Sequence, residues 1–357
     1  MKLLELQAAG KMPGFAPRKA MERMLKYYQG HPHQQFRAHR TGAGVAIWAT
    51  NPEYSYLIGM NKSTKKVLTY SDTGDYGAYD PITVKVDHSK NVWVANEENS
   101  SYEGGAVQEY GSSGSYMNTY SFNPDCGTGY VYYCYGYGLD SAENSSNVFA
   151  GMPYFYTDTE YGFDTGSGIF KFTNGDPSAG STYYAFSDKN DDYNCTVYSA
   201  YDYQCDEVYY MDVDNSGNVW FDFSGSDGAG LGELTEGGTY NVIFGSGTYG
   251  FPGSVYVSNS GTVLNVTDQD SRMTYQYHLP VTSSSSAFAS FGPTATNVQG
   301  QGDPIGGGMN ATDTQMIFGD EGGWLDRCTI SANKCKALAN INLPYGSSGA
   351  AFSPSDK

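Results

Sequence analysis

Five stretches of this 357-residue chain repeat one unit: a β-rich run, a turn of Asp, Asn, Ser or Gly, and a second β-rich run. The clearest copies are residues 82–95 (ITVKVDHSKNVWVA) and 210–221 (YMDVDNSGNVWF), with looser copies at 138–150, 254–264 and 309–318. Most copies are spaced by about 40–50 residues, the length of one four-stranded propeller blade. A single repeat cannot bury its own apolar face, so the pattern demands a closed or stacked array.

The ends of the repeat region explain each other. Val45-Ala46-Ile47-Trp48-Ala49 reads as the second strand of a blade with no first strand before it. Residues 349–357 read as a first strand with nothing after it. Joining the two gives one complete blade and removes the exposed edges of an open ring. The expectation is an all-β, six-bladed β-propeller closed by the C-terminal strand pairing with the N-terminal blade. The propeller occupies 42–357. Residues 1–41 form a basic arm with one short helix, opened by Pro17, closed by Gly30 and striped by Met21, Met24, Leu25 and Tyr28. The cluster at 130–186 and its continuation to 205 exceed one ordinary blade, which points to an inserted hairpin and leaves a seventh, degenerate blade open. The Ser/Gly-rich stretches 223–238 and 281–303 read as exposed loops.

Composition agrees with many short strands: 45 Gly supply turns, and 33 Tyr suit half-exposed strand positions. Charge is uneven. Residues 1–40 carry +6 and the remainder −24, which together give the net −18. An acidic body of this kind repels phosphate backbones, which argues against nucleic acid. No apolar run approaches the roughly 20 residues of a membrane helix, so no membrane insertion is expected. The six cysteines fall into local pairs, Cys126 with Cys134, Cys195 with Cys205 and Cys328 with Cys335, at separations that suit cross-strand or loop-closing disulfides. Export to an extracellular or periplasmic space follows, although residues 1–10 lack the apolar core of a signal peptide and leave open whether Met1 is the native start. Asn-x-Ser/Thr acceptors occur at Asn61, Asn99, Asn144, Asn194, Asn265 and Asn310.

The unit β-Asp-x-x-Gly-Asn-Val-Trp/Phe-β resembles the repeats of the NHL and virginiamycin B lyase-like β-propellers. The resemblance covers most of 45–357, with specificity confined to the first strand, turn and second strand. It implies the fold. The group includes lyases, lactonase-like hydrolases and binding platforms, so the resemblance does not select an activity.

Acids follow the second strands: Glu53, Glu97 and Glu98, Asp158 and Glu160, Asp222 and Asp227, Asp268 and Asp270, and Asp320 with Glu321. In a propeller these positions share one face, opposite the Asp-Asn turns. Glu97, Glu98, Asp222, Asp268, Asp320 and Glu321 are therefore the candidate ligand or metal residues, on an acidic mouth where Ca²⁺ is the cofactor expectation if there is one. The Asp87–Asn91 and Asp214–Asn218 turns read as structural, because Asp and Asn cap tight turns through their own backbone. Histidine is scarce: His31, His33 and His39 lie in the arm, His88 in a turn and His278 at a strand end. The lyase-like relatives place His and Glu beside a metal on the channel face. No inner repeat here carries that His, and no catalytic residue is assigned. The functional expectation is an exported, non-catalytic platform presenting its mouth to a glycan, small molecule or protein. The alternative is a metal-dependent lyase or lactonase-like hydrolase acting in the central channel.

Overall fold

The computed structural model describes residues 45–52, 55–61, 67–87, 89–99, 105–121, 130–134, 137–141, 147–159, 162–173, 181–188, 195–199, 202–225, 227–291, 304–310, 312–320, 324–331, 334–338, 341–343 and 349–352. The basic arm, with its expected helix and three histidines, lies outside them.

Each repeat forms an antiparallel sheet, and six sheets make the propeller. Blade 1 runs Gly349–Phe352, Ile47–Asn51, Tyr56–Met60 and Val67–Asp72 from the axis outward. Blade 2 is Ala78–Val86, Val92–Asn99, Ala106–Tyr110 and Tyr116–Ser121; blade 4 is Glu207–Val213, Val219–Gly225, Gly228–Leu234 and Tyr240–Tyr249. Blade 5 is Pro252–Val257, Val263–Asp268, Met273–His278 and Ala289–Phe291. Blade 6 is Pro304–Met309, Gln315–Asp320, Trp324–Ser331 and Lys334–Ala337, with Ile341–Asn342 added against its third strand.

The closure is the expected one. The C-terminal strand pairs with the first body strand in the register Ile47↔Phe352, Trp48↔Ala351, Ala49↔Ala350 and Thr50↔Gly349. All four residues of Gly349–Phe352 are buried. Gly349–Phe352 thus supply the innermost strand of the blade that Ile47–Asn51, Tyr56–Met60 and Val67–Asp72 complete.

Blade 3 accounts for the excess length at 130–186 without a seventh blade. Its central strands, Val148–Thr159 and Gly162–Phe172, lengthen to 12 and 11 residues. The inner end of Val148–Thr159 pairs with Tyr137–Ser141, and its far end pairs with Tyr130–Cys134. Ser181–Asp188 closes the outer side. The expected hairpin follows as a separate two-stranded sheet, Cys195–Ser199 with Asp202–Cys205, whose register sets Cys195 opposite Cys205. The side chains of those two cysteines and of Cys134, and all of Cys126, lie outside the described residues. Cys328 and Cys335 form a disulfide within blade 6.

The turn chemistry repeats as read. In blade 4, Asp214 Oδ1 accepts the N–H groups of Ser216 and Asn218, while Oδ2 accepts the indole N–H of Trp220 at 3.0 Å. Asp87 does the same in blade 2, for the N–H of Asn91 and the indole of Trp93. Ser258 caps the blade 5 turn and Asn310 the blade 6 turn. The fourth turn residue takes positive φ in every case: Lys90, Gly217, Gly261 and Asp313. The Asp-to-Trp spacing of the repeat is thus a hydrogen-bonding unit that fixes the turn and the first large core residue together.

The core is distributed between blades rather than within one. Among the described residues six buried apolar clusters are present, one for each junction. Trp48 packs with Val84, Val94 and Ala351 between blades 1 and 2, and Trp93 packs with Phe170 and Phe172 between blades 2 and 3. Burying each such ring contributes about 1.5–3 kcal/mol, so the blades hold one another up. Of the stretch 223–238, expected as a loop, 223–225 and 228–234 belong instead to two strands of blade 4, and 235–238 form the turn that leads to its outer strand. Two glycines of the stretch face aromatic rings across the sheet: Phe221 pairs with Gly232 and Phe223 with Gly230. A Cβ at either glycine would fall within 2.3 Å of its ring partner. Glycine here makes room for Phe, which composition alone reads as a loop signal. Of the other expected loop, Ala289–Phe291 forms the outer strand of blade 5, and 292–303 lie outside the described residues.

Candidate functional site: the axis and the mouth

The inner strands carry their free edges to the axis, and they are not regular. The pairing of first and second strands shifts register at one level in blades 2 to 6: between Pro81 and Thr83, beside Gly138, between Val208 and Met211, between Pro252 and Ser254, and between Ile305 and Gly307. A bulge bends and twists its strand, and here five of them bring neighbouring inner strands into close contact. A Cβ on Gly349 would lie 2.7 Å from the carbonyl oxygen of Ile82 in blade 2 and 2.9 Å from the Cα of Thr83. A Cβ on Gly253 would lie 3.0 Å from the carbonyl oxygen of Pro304 in blade 6. Among the described residues, an axial cavity lined by Thr83, Lys85, Tyr210, Ser254, Gly307 and Gly349 among others measures about 10 Å³. That is the room of about one water molecule.

One ion pair crosses this axis. Lys85 of blade 2 lies 3.6 Å from Asp212 of blade 4, with both side chains largely buried. Asp212 also accepts the N–H groups of Val213 and of Val257 in blade 5. Burial raises the pKa of Asp212, and Lys85 together with these N–H donors opposes that rise. The pair ties three inner strands together across the narrow channel.

The topology sets the ends of the second strands and the starts of the first strands on the same face. Glu97 and Glu98 lie in the last turn of strand Val92–Asn99, Asp268 and Asp320 end their strands, and Asp222 lies within Val219–Gly225. Glu97 is partly exposed. Asp222 is 1% exposed and serves a bulge: its Oδ1 accepts the N–H of Tyr210 at 2.7 Å, and burial drives its pKa well up. Asp268 Oδ1 accepts the N–H groups of Gly250, Phe251 and Asp270, and its Oδ2 accepts the hydroxyl of Ser271. This one carboxylate fixes both the entry into blade 5 and the loop after its second strand. Both carboxylate oxygens of Asp268 are thus engaged by protein donors. The side chains of Glu98 and Asp320, and all of Glu53, Glu160 and Glu321, lie outside the described residues. Among the described residues, no group of three or more His, Cys, Asp or Glu is placed to hold a metal.

Two acids that a search after second strands passes over stand at the entry to blade 4. Asp206 precedes its inner strand and Glu207 begins it. Desolvation raises Asp206 to about 6 and Glu207 to about 8, and the nearby Asp206 charge adds to the rise at Glu207. The hydroxyl of Tyr209 donates to Glu207 Oε2 at 3.0 Å, which opposes the rise. The ring of Tyr209 meets that of Phe251, which is 38% exposed, at 5.7 Å edge to face. The sequence signal was the Asp-Glu pair directly after Cys205, at the start rather than the end of a blade.

No family model matches the chain, and no curated protein sequence matches it. Solved structures do. A chain from the crystal structure of a nidogen/laminin complex aligns with a TM-score of 0.56 at 9% identity, over 88% of this chain and 100% of the other. Virginiamycin B lyase from Staphylococcus aureus, in a catalytically inactive form with quinupristin, aligns with a TM-score of 0.50 at 11% identity, over 89% and 96%. At such identities the likeness is one of fold, and the repeats that resemble the NHL and virginiamycin B lyase-like propellers do fold as such a propeller.

Proposed function

We propose that this chain is a non-catalytic binding platform, exported from the cell, which engages a protein or glycan on its mouth face. The observation that carries this reading is the closed axis. Ligand pockets that enclose a small-molecule substrate measure roughly 300–1,000 Å³, whereas about 10 Å³ remains among the inner strands. The work of such a propeller then falls to its faces. A body carrying −24 outside its first 40 residues favours basic or neutral partners over anionic ones. A neighbour of the same fold comes from a nidogen/laminin complex, which fits a role in protein association. The Cys328–Cys335 disulfide fits an oxidising compartment. No helix among the described residues is long and apolar enough to cross a membrane.

The competing reading, a metal-dependent lyase or hydrolase, draws on Asp206 and Glu207, whose raised pKa values suit proton transfer near neutral pH. Two measurements separate the readings. A glycan array and a binding titration with an oligolysine peptide test the platform. Saturable binding weakened by Asp227→Asn supports it, and no binding to either probe counts against it. Incubation with quinupristin and Mg²⁺ or Ca²⁺, read by mass spectrometry, tests the enzyme. An intact ring is expected by chromatography and fragmentation, and ring opening, at unchanged mass by elimination or with added water by hydrolysis, overturns the platform reading.

A further inference from the structure

Buried hydroxyls in folded proteins are hydrogen-bonded as a rule, and each exception calls for a partner. The described residues largely keep to that rule. Thr50 donates to the carbonyl of Ile82 at 3.1 Å, Ser187 donates to the carbonyl of Asp206, and Ser167 Oγ accepts the N–H of Val208. Thr267 and Thr274 bond one another at 3.0 Å. Two hydroxyls break the rule. Thr83, 4% exposed, and Ser254, 1% exposed, carry the only fully buried Ser or Thr oxygens among the described residues that have no hydrogen-bond partner.

Both exceptions fall at one place. Thr83 lies on the inner strand of blade 2 and Ser254 on the inner strand of blade 5, and these blades stand opposite each other in a ring of six. Each is the residue at which pairing resumes after the bulge of its strand, Thr83 after Pro81 and Ser254 after Pro252. The bulges thus carry two equivalent positions to the same space, and both residues line the axial cavity of about 10 Å³. Gly306 lines it as well, and the blade 6 ladder passes over Gly306 between Ile305 and Gly307. A residue left out of its ladder has peptide groups to offer elsewhere, so the third side of the cavity is also polar.

We propose that a single water molecule occupies this cavity, bonded to Thr83 Oγ1 and Ser254 Oγ, and joins blade 2 to blade 5 across the axis. The volume is that of about one water, and a buried water needs two to four polar partners. Charge selects a neutral ligand. Lys85 lines the same cavity and repels a cation, while Asp212, 3.6 Å from its ammonium, repels an anion. An ion would also give up its hydration shell for a few neutral groups, which is costly in a buried site. The water does for blades 2 and 5 what the Lys85–Asp212 pair does for blades 2 and 4. This tie stands whether or not the mouth face binds a partner.

A high-resolution crystal structure of the intact chain, from crystals soaked in sodium bromide and separately in rubidium chloride, tests the ligand. The expected result is one density peak within hydrogen-bond distance of both hydroxyls, with no anomalous signal from either salt. Urea unfolding tests the link. Thr83→Val and Ser254→Ala each take away one partner of the same water, so their costs overlap. The loss in folding equilibrium constant for the double variant is expected to fall short of the product of the single losses by about fivefold. No density between the two hydroxyls, a peak bonded to only one of them, anomalous density at the site, or strictly multiplicative losses overturns the proposal. The crystallographic result decides even where a variant fails to fold.

Discussion

The indole N–H of Trp220 donates to Oδ2 of Asp214, six residues earlier, and that carboxylate also receives both N–H groups that open the blade 4 turn. A turn and a core residue thereby share one anchor. Asp87 and Trp93 repeat the relationship in blade 2.

Removing that anchor strips the turn and leaves a buried indole N–H unpaired. Asp214→Ala is expected to cost about 2–3 kcal/mol, from hydrogen bonds to a charged group and the desolvation of the orphaned donor. Asp214→Asn keeps an acceptor and costs less, about 1 kcal/mol. Urea unfolding followed by tryptophan fluorescence reads both. Equal stability of wild type and Asp214→Ala would show that the turn does not depend on the side chain.

The closure of the ring rests on a position with no room for a side chain. Gly349 pairs with Thr50, and a Cβ there meets backbone atoms of Ile82 and Thr83, which cannot move aside as the end of a flexible side chain can. Gly349→Val is expected to destabilise by about 1–3 kcal/mol through overpacking, and to loosen the seam between blades 1 and 2 first. Hydrogen exchange should show faster labelling in residues 47–51 and 82–86 than in blade 4. Uniform labelling across the blades would contradict a seam at this position.

These two predictions use what the sequence made legible. The Asp-to-Trp spacing was visible because it repeats, and the closing strand was visible because each terminus lacked what the other held. Blade 4's third strand was not. Gly230 and Gly232 look like loop punctuation until Phe221 and Phe223 are seen lying against them. The acids illustrate a second limit. Position along the chain assigns Asp222 and Asp268 to the mouth end, but only the bulge at Tyr210 and the N–H groups of Gly250 and Phe251 reveal that both carboxylates are bound to the protein's own backbone. Burial, which sets the pKa of Glu207, has no one-residue signature at all.

That burial gives a sign to the pH dependence. Asp206, Glu207 and Asp222 all have folded-state pKa values above their ordinary ones, so the native chain holds protons that the unfolded chain releases. The stabilisation from these groups is complete below about pH 4, the ordinary carboxylate range. It is lost as pH rises, through about 6 for Asp206 and about 8 for Glu207. The melting temperature should therefore fall between about pH 5 and pH 8, and the net −18 charge adds to the trend. Glu207→Gln removes one titrating group and should flatten the upper part of that fall. A melting temperature that rises across the interval would refute the assignment.

Burial also sorts the glycosylation acceptors Asn61, Asn265 and Asn310, the three whose side chains are described. Asn265 is fully buried: its Nδ2 donates to the carbonyl of Tyr256, and its Oδ1 accepts from Gln276 at 2.8 Å. Asn310 is 1% exposed and caps the blade 6 turn, its Oδ1 receiving the N–H groups of Thr314 and Gln315. A glycan on either nitrogen would have to break those bonds and enter a packed junction between blades. When the chain is secreted from a glycosylating host, peptide mapping should find both sites unmodified in folded, monodisperse protein. Asn61, just after a blade 1 strand, is partly exposed. Occupancy at Asn265 or Asn310 in protein with native stability would mean that the second strand of blade 5 or the turn of blade 6 opens far more readily than its hydrogen bonds imply.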